Sequence, residues 1–513
     1  MERGTYRMRA PYAKTPVKSL YPRPSLANKR TTSSSPTSSL AILVILLAFA
    51  SVSCFGMAYY LFSTRWDTRQ LVRRRISDQD IVVDLSQRPL RIKNEPDELF
   101  IAYLPHSGFH NQRIAFENAL VLARLLNRTL LVPLVHLGNK PIPYAPFNIL
   151  YQELTLCNKD GLNHCSRIAS QTPVPLECID YINHTHIPWS WLVDLDHLHG
   201  EHRLLQTWNM TEAWVQEYLN ISKTDILYLK DNNPYHYRFL DSRTDISPST
   251  HKFLESIYIP DLQLSTKRLL HIGTLFGSSR LRLKNYSNIA IRGHVRDVMG
   301  FSNPSLLNAA KMITDSLGPF YLGVHLRLRD GDFKKNAVTN VRNIWWHLMH
   351  QSLNYTWEET IFLERSFLGQ SPEKPEIVIQ CQSQSMNTEA WPYSPPNIKC
   401  RGRLHSDPQL IRLNMPIFIS TDVRANNPLL VRFQRTFPCL FYLSDFPTIT
   451  AQLDDWYNPM DGIKMAPFML PFLDALVVGH SWKAVGTENS TFSRFIQDVV
   501  WRKFHGLDII QRG

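Results

Sequence analysis

The chain has 513 residues, 44% of them hydrophobic and 19% charged, with a formal net charge of +12 and seven cysteines. That length and apolar content leave room for a membrane segment and two domains of ordinary size. The basicity excludes a nucleic-acid reading once it is divided: +7 lies in residues 1–39 and +4 in 63–75, so the remainder is close to neutral.

Residues 1–39 carry eight Lys or Arg against one acid in a Pro- and Ser-rich run ending TTSSSPTSS, which predicts a disordered basic tail. Residues 40–62 hold no charged side chain, which is long enough to cross a bilayer as a helix and too far from the start for a cleaved signal peptide. A single-pass signal anchor is expected. Arg65, Arg69, Arg73, Arg74 and Arg75 weaken the charge contrast across it. Sequons at Asn127, Asn183, Asn209, Asn220, Asn285, Asn354 and Asn489 favour a type II orientation in the endoplasmic reticulum or Golgi, with the large C-terminal part lumenal. Residues 63–96 read as a polar stem.

Cys54 falls in the span, leaving six cysteines for an oxidising compartment, where disulfides are expected. Cys157, Cys165 and Cys178 cluster, and Cys381 with Cys400 would staple a Pro- and Ser-rich excursion; no Cys-x-x-Cys argues for zinc.

Residues 99–104 (LFIAYL) predict a strand, 113–126 a helix and 129–132 a second strand, which together form a βαβ unit. Its first turn, PHSGFHN, lacks a dinucleotide fingerprint but presents helix N-terminal N–H groups to an anion. Residues 189–245 show no clear period and read as helices and long loops. Residues 320–324 predict a buried strand that opens into HLRLRDGDF, a loop with one His, two Arg and two Asp. An Arg there can grip a phosphate bidentately. The competing reading is a surface loop whose Arg327 and Arg329 are neutralised by Asp330 and Asp332.

Further on, strands are expected at 416–420, 440–443 and 482–485, and helices at 429–437, 466–479 and from Thr491. The expected fold is α/β, with an N-terminal Rossmann-like domain over 97–300 and a C-terminal donor-binding one over 301–513 that carries an insertion at 371–410. Four segments follow strands, where such sheets place ligands: 105–113, 325–333, 418–422 and 486–493. Asp422 suits a ribose hydroxyl or a base edge, and Ser490 and Thr491 suit a diphosphate. For Ser490 a plain N-cap is the alternative.

In order and spacing these segments resemble the GDP-fucose protein O-fucosyltransferase family. The matching residues are Gly108-Phe109-His110-Asn111, the run from Leu126 to Pro133, His325, Arg327 and Asp330, Thr421-Asp422, and Gly486-Thr487 with Ser490-Thr491-Phe492-Ser493. The resemblance implies a GT-B-like fold, two Rossmann-like domains facing a cleft. It implies transfer of fucose from GDP-fucose to a Ser or Thr hydroxyl, or to a glycan, with inversion and without a metal. By position, Arg327 would hold the β-phosphate with His325 orienting it, and Asp330 would be the motif's acid. Gly108, Phe109 and Asn111 would line the sugar and diphosphate, Asp422 the nucleoside, and Ser490, Thr491 and Phe492 the phosphates and guanine surroundings. Arg329 and Asp332 would form an ion pair. Some relatives carry a Glu where this chain has Ser107, so no general base is assigned. The alternatives are a metal-dependent GT-A enzyme using Asp194 and Asp196 or Asp330 and Asp332, and a non-catalytic sugar-binding membrane protein.

Overall fold

The computed structural model describes residues 46–57 and 97–510, except 139, 158, 160–161, 168–172, 199–200, 207–208, 244–251 and 369–395. Two units divide the chain, Met1–Leu90 and Arg91–Gly513. In the first, residues 46–57 are helical and exposed. Among the described residues no helix is long and apolar enough to cross a membrane; the ends of the expected 40–62 span, the tail and the stem lie outside them.

The second unit begins with β1 (Phe100–Tyr103), α1 (Phe109–Leu125), β2 (Thr129–Leu131), β3 (Val135–Gly138), β4 (His184–Ile187), β5 (Leu204–Leu205), β6 (Ile226–Leu229), β7 (Tyr237–Leu240), β8 (Glu255–Tyr258), β9 (Leu269–Ile272) and β10 (Leu281–Arg282). Five of these strands form a parallel sheet in the order β5-β2-β1-β9-β6. β1 is central and buried on both faces, so its sequence is continuously apolar instead of alternating. β3 and β4 pair antiparallel across a long helical connection. The region 189–245, expected to be helices and loops, contains three strands, β5 to β7. β5 has two residues and β6 and β7 four each, too short to show a period.

The second parallel sheet is built from β11 (Leu322–Leu326), β12 (Ile417–Thr421), β13 (Leu440–Phe441) and β14 (Lys483–Gly486), in the order β13-β12-β11-β14. α2 (Ala466–Gly479) and α3 (Thr491–Phe495) belong to this half. β11 starts and ends two residues later than its apolar run suggests, because pairing with β12 continues to Leu326 and with β14 to His325. His325 is therefore a strand residue and not the start of the loop. α2 matches its expected bounds and buries Phe472, Leu473, Leu476 and Val477, each contributing roughly 1.5–3 kcal/mol of transfer free energy. One hydrophobic core runs from Ile101 and Phe116 of the first sheet and its helix to Phe418 and Leu473 of the second half.

Disulfides join Cys165 to Cys178 and Cys400 to Cys439. Cys400 thus pairs with a residue beside β13, not with Cys381, which lies outside the described residues. Cys157 is a free thiol.

Candidate active site

Gly108 is the N-cap of α1, and a Cβ built on it would meet nothing within 4 Å, so the turn is open on that side. Asn111, one turn into the helix, is half-buried with its Oδ1 lacking any protein partner. The Phe109 ring sits among Phe472, Phe495, Trp189 and Phe301, with centroids 4.6, 5.3, 6.0 and 6.0 Å away. It locks α1 against α2 and α3.

Across this lock lies the end of the second sheet. Gly486 closes β14, and a Cβ there would sit 2.5 Å from that of Ser493, so only glycine lets the turn fold back on α3. Asn489 takes the left-handed conformation at φ 60°. Ser490 is buried and accepts from the Ser493 N–H at 3.3 Å, the N-cap role. Thr491 and Phe492 at the start of α3 are half-buried.

Arg327, the first residue after β11, has its backbone N–H bound to the Thr487 hydroxyl at 3.0 Å. Its guanidinium forks onto Asp330, Nε to Oδ1 at 3.0 Å and Nη2 to Oδ2 at 2.6 Å, and lies 4.9 Å from the Phe333 ring centroid. The hydrogen bonds from Arg327, with its charge behind them, hold the Asp330 carboxyl below the usual carboxylate range. Asp330, and not His325, is the residue that orients Arg327. His325 is bound instead to the Ser493 hydroxyl, Nδ1 to Oγ at 2.7 Å, with Phe492 at 5.3 Å. Burial first, and the Arg327 charge second, push its imidazole down to about 3, so it is neutral.

Asp422 accepts the N–H groups of Leu328 and Arg329 at 2.9 and 3.1 Å, so its carboxylate clamps the loop that carries Arg327. Asp332 pairs with Lys335 at 2.9 Å and not with Arg329. The two Asp-x-Asp pairs form no three-ligand group: among the described residues the grouping with metal-ligand spacing is His164, Cys165 and Cys178, whose cysteines are disulfide-bonded. Asp194 binds the Asp196 N–H and His197 instead.

Two features were not singled out in the sequence. Asp474 is the one acid in the apolar α2; the Ser420 hydroxyl binds it, its Oδ1 has no partner, and burial pushes its carboxyl up to about 8. A lone acid in an otherwise apolar helix was a legible signal. The other is His106, buried at 4% exposure, whose Nδ1 and Nε2 lie 2.7 Å from the Ser107 and Thr274 hydroxyls. Nothing in the local sequence brings Thr274 to it.

Comparison with known proteins agrees with this arrangement of motifs. Residues 100–500 match the family described as GDP-fucose protein O-fucosyltransferase. A 34-residue stretch is 59% identical to "O-fucosyltransferase 30" of Arabidopsis thaliana, covering 7% of this chain and 7% of the length of that relative. Crystal structures of POFUT1 are also similar over most of the chain. The complex with GDP-fucose is 13% identical, covers 81% of this chain and 96% of its own, and gives a TM-score of 0.33; a complex with GDP is 12% identical, with 80% and 98% covered and a TM-score of 0.34. Matched by the family's sequence pattern from β1 almost to its C-terminus, the chain belongs to the GDP-fucose protein O-fucosyltransferase family.

Proposed function

We propose that this chain transfers fucose from GDP-fucose to a Ser or Thr hydroxyl of a secretory-pathway protein, by direct displacement with inversion and without a metal. The observation that carries this reading is the Arg327 fork, preset by Asp330 and Phe333 beside the turn that leads into α3. When the bond from fucose C1 to the diphosphate oxygen breaks, its electron pair leaves with GDP. A fixed cation at that oxygen stabilises the developing charge without reorganising, and so acts mainly in the transition state. The acceptor oxygen forms the new bond to C1 from the opposite face. Asn111 Oδ1 and Asp474 Oδ1 are buried polar atoms without protein partners, the kind of group a bound sugar or base would satisfy.

The wider setting belongs to the same proposal. The two Rossmann-like halves act as a GT-B pair, residues 40–62 anchor the chain in the endoplasmic reticulum or Golgi membrane, and the catalytic part is lumenal. The two disulfides favour such an oxidising compartment. The test is nucleotide release by the purified lumenal part with a panel of nucleotide sugars, alongside calorimetric titration with GDP. GDP-fucose should be turned over in preference to other GDP-sugars with EDTA present. No GDP binding at millimolar concentration, or activity that appears only with Mn²⁺, would contradict the reading.

A further inference from the structure

We propose that Ser107 is the residue that takes the proton from the attacking hydroxyl, passing its own to His106; this rests on the fucosyltransferase reading above and supplies the base that its motifs leave unassigned.

The relay stands at the C-terminal ends of three neighbouring parallel strands. His106 follows β1, Thr274 follows β9 and Asp231 follows β6, strands that pair in the order β1-β9-β6. The Ser107 hydroxyl lies 2.7 Å from His106 Nδ1, and His106 Nε2 lies 2.7 Å from the Thr274 hydroxyl. The tautomer with its proton on Nε2 donates to Thr274 and leaves Nδ1 to accept from Ser107. Thr274 is held in turn by Asp231, fully buried, whose Oδ2 accepts the Thr274 N–H at 2.8 Å. Position 273 must be glycine for this, because a Cβ there would overlap the Asp231 carboxylate. Tyr144 and Phe276 wall the imidazole edge-on at 5.4 and 5.8 Å.

Ser107 is in an unfavourable backbone state for a serine. Its φ is 65°, where Gly or Asn is the ordinary choice. Both of its peptide groups are pinned: the N–H donates to the Ile142 carbonyl at 2.6 Å, and its carbonyl accepts from Gln112 Nε2 at 3.1 Å. Strain that persists because the surroundings over-determine it marks functional positions. What serine supplies there, and glycine would not, is the hydroxyl aimed at His106. The residue is part-exposed and precedes Gly108, beside which a Cβ would meet only open space.

In the step, the bond from C1 to the diphosphate oxygen breaks with its electron pair going to GDP, and a lone pair of the acceptor oxygen forms the new bond to C1. The acceptor proton moves to Ser107 Oγ while the Ser107 proton moves to His106 Nδ1; the imidazolium returns it to solvent after product release. Burial, with the Arg280 charge second, pushes His106 down to about 4, so it is neutral and free to receive the proton. A weak base suffices, because a hydroxyl oxygen bonded to C1 is an oxonium and a far stronger acid than the free alcohol.

The test uses GDP-fucose as donor and water as acceptor, follows GDP release, and measures GDP affinity calorimetrically. Ser107→Gly suits the backbone and removes the hydroxyl; Ser107→Asn keeps a hydrogen-bonding side chain but cannot relay a proton; His106→Gln removes the acceptor of that proton. Each should lower kcat at least about 100-fold, the usual size of general-base effects, with donor KM and GDP affinity within about twofold. The native protein should show a solvent deuterium isotope effect on kcat that Ser107→Gly abolishes. If Ser107→Gly retains kcat within about threefold, or loses GDP affinity in step with rate, the relay is wrong. A native protein that binds GDP but releases none from GDP-fucose in water also overturns it. A native protein that binds no GDP overturns the donor reading itself, and the relay falls with it.

Discussion

Replacing Arg327 separates its contribution to catalysis from its contribution to the fold. The Arg327 side chain is 32% exposed and that of Asp330 58%, so the pair between them is largely solvated. Losing such a pair costs at most about 1 kcal/mol of stability, which for a folded part of this size lowers Tm by no more than about 2 °C. The loss of a preorganised group facing a leaving anion is larger, about 2.7–4 kcal/mol. At about 1.36 kcal/mol per tenfold, that is roughly 10²–10³ in turnover. Arg327→Ala should therefore melt close to the native protein yet lose at least two orders of magnitude in GDP release from GDP-fucose. Arg327→Lys should fall between them, because an ammonium keeps the charge but cannot fork onto Asp330 and a phosphate together. Asp330→Asn should weaken turnover without abolishing it, since the guanidinium loses one charged anchor and keeps Phe333. Thermal melts and donor titrations on the same preparations give the comparison. An Arg327→Ala protein with turnover within threefold of native would remove Arg327 from the mechanism.

Gly486→Ala places a methyl 2.5 Å from the Ser493 Cβ; overpacking of this kind costs about 1–3 kcal/mol, and GDP affinity should fall together with Tm, whereas an unchanged titration would show that the turn is not part of the donor site. Asp474 gives a pH signature: burial raises its folded carboxyl to about 8, far above the ordinary carboxylate range, so the native state holds a proton that the unfolded chain has released. That stability is present in full below about pH 4 and is lost as pH rises to 8. Asp474→Asn should remove this part of the slope, and melts from pH 4 to 8 in which the two proteins run parallel would refute it. Cys400→Ser and Cys439→Ser should destabilise alike, by about 4 kcal/mol in the chain-entropy account for a 39-residue separation; peptide mapping that links Cys400 to any other cysteine would contradict the pairing.

The sequence alone determined what depends on local order. Continuous apolar runs placed the two central strands, the apolar stretch 466–479 gave α2 its bounds, and the segments after strands were legible as loops, Arg327 after β11 and the Gly486 turn ahead of α3. These are short-range signals, because strand and helix patterns repeat within a few residues and ligand loops directly follow strands. Partners that meet across the sheets left no such trace. Asp330 was legible as the motif's acid, but that it orients Arg327, while His325 turns away to Ser493, depends on where β11 stops pairing with β14. That Phe109 packs on Phe472 and Phe495 could not be read locally, because both come from the other half of the chain. Cys400 could not be matched to Cys439 by spacing, and His106 meets Thr274 only because β9 inserts beside β1. Sheet order decides those meetings: it is set by crossovers and by burial of whole faces, so a contact between residues 168 positions apart exists in the tertiary structure and nowhere in the local chain.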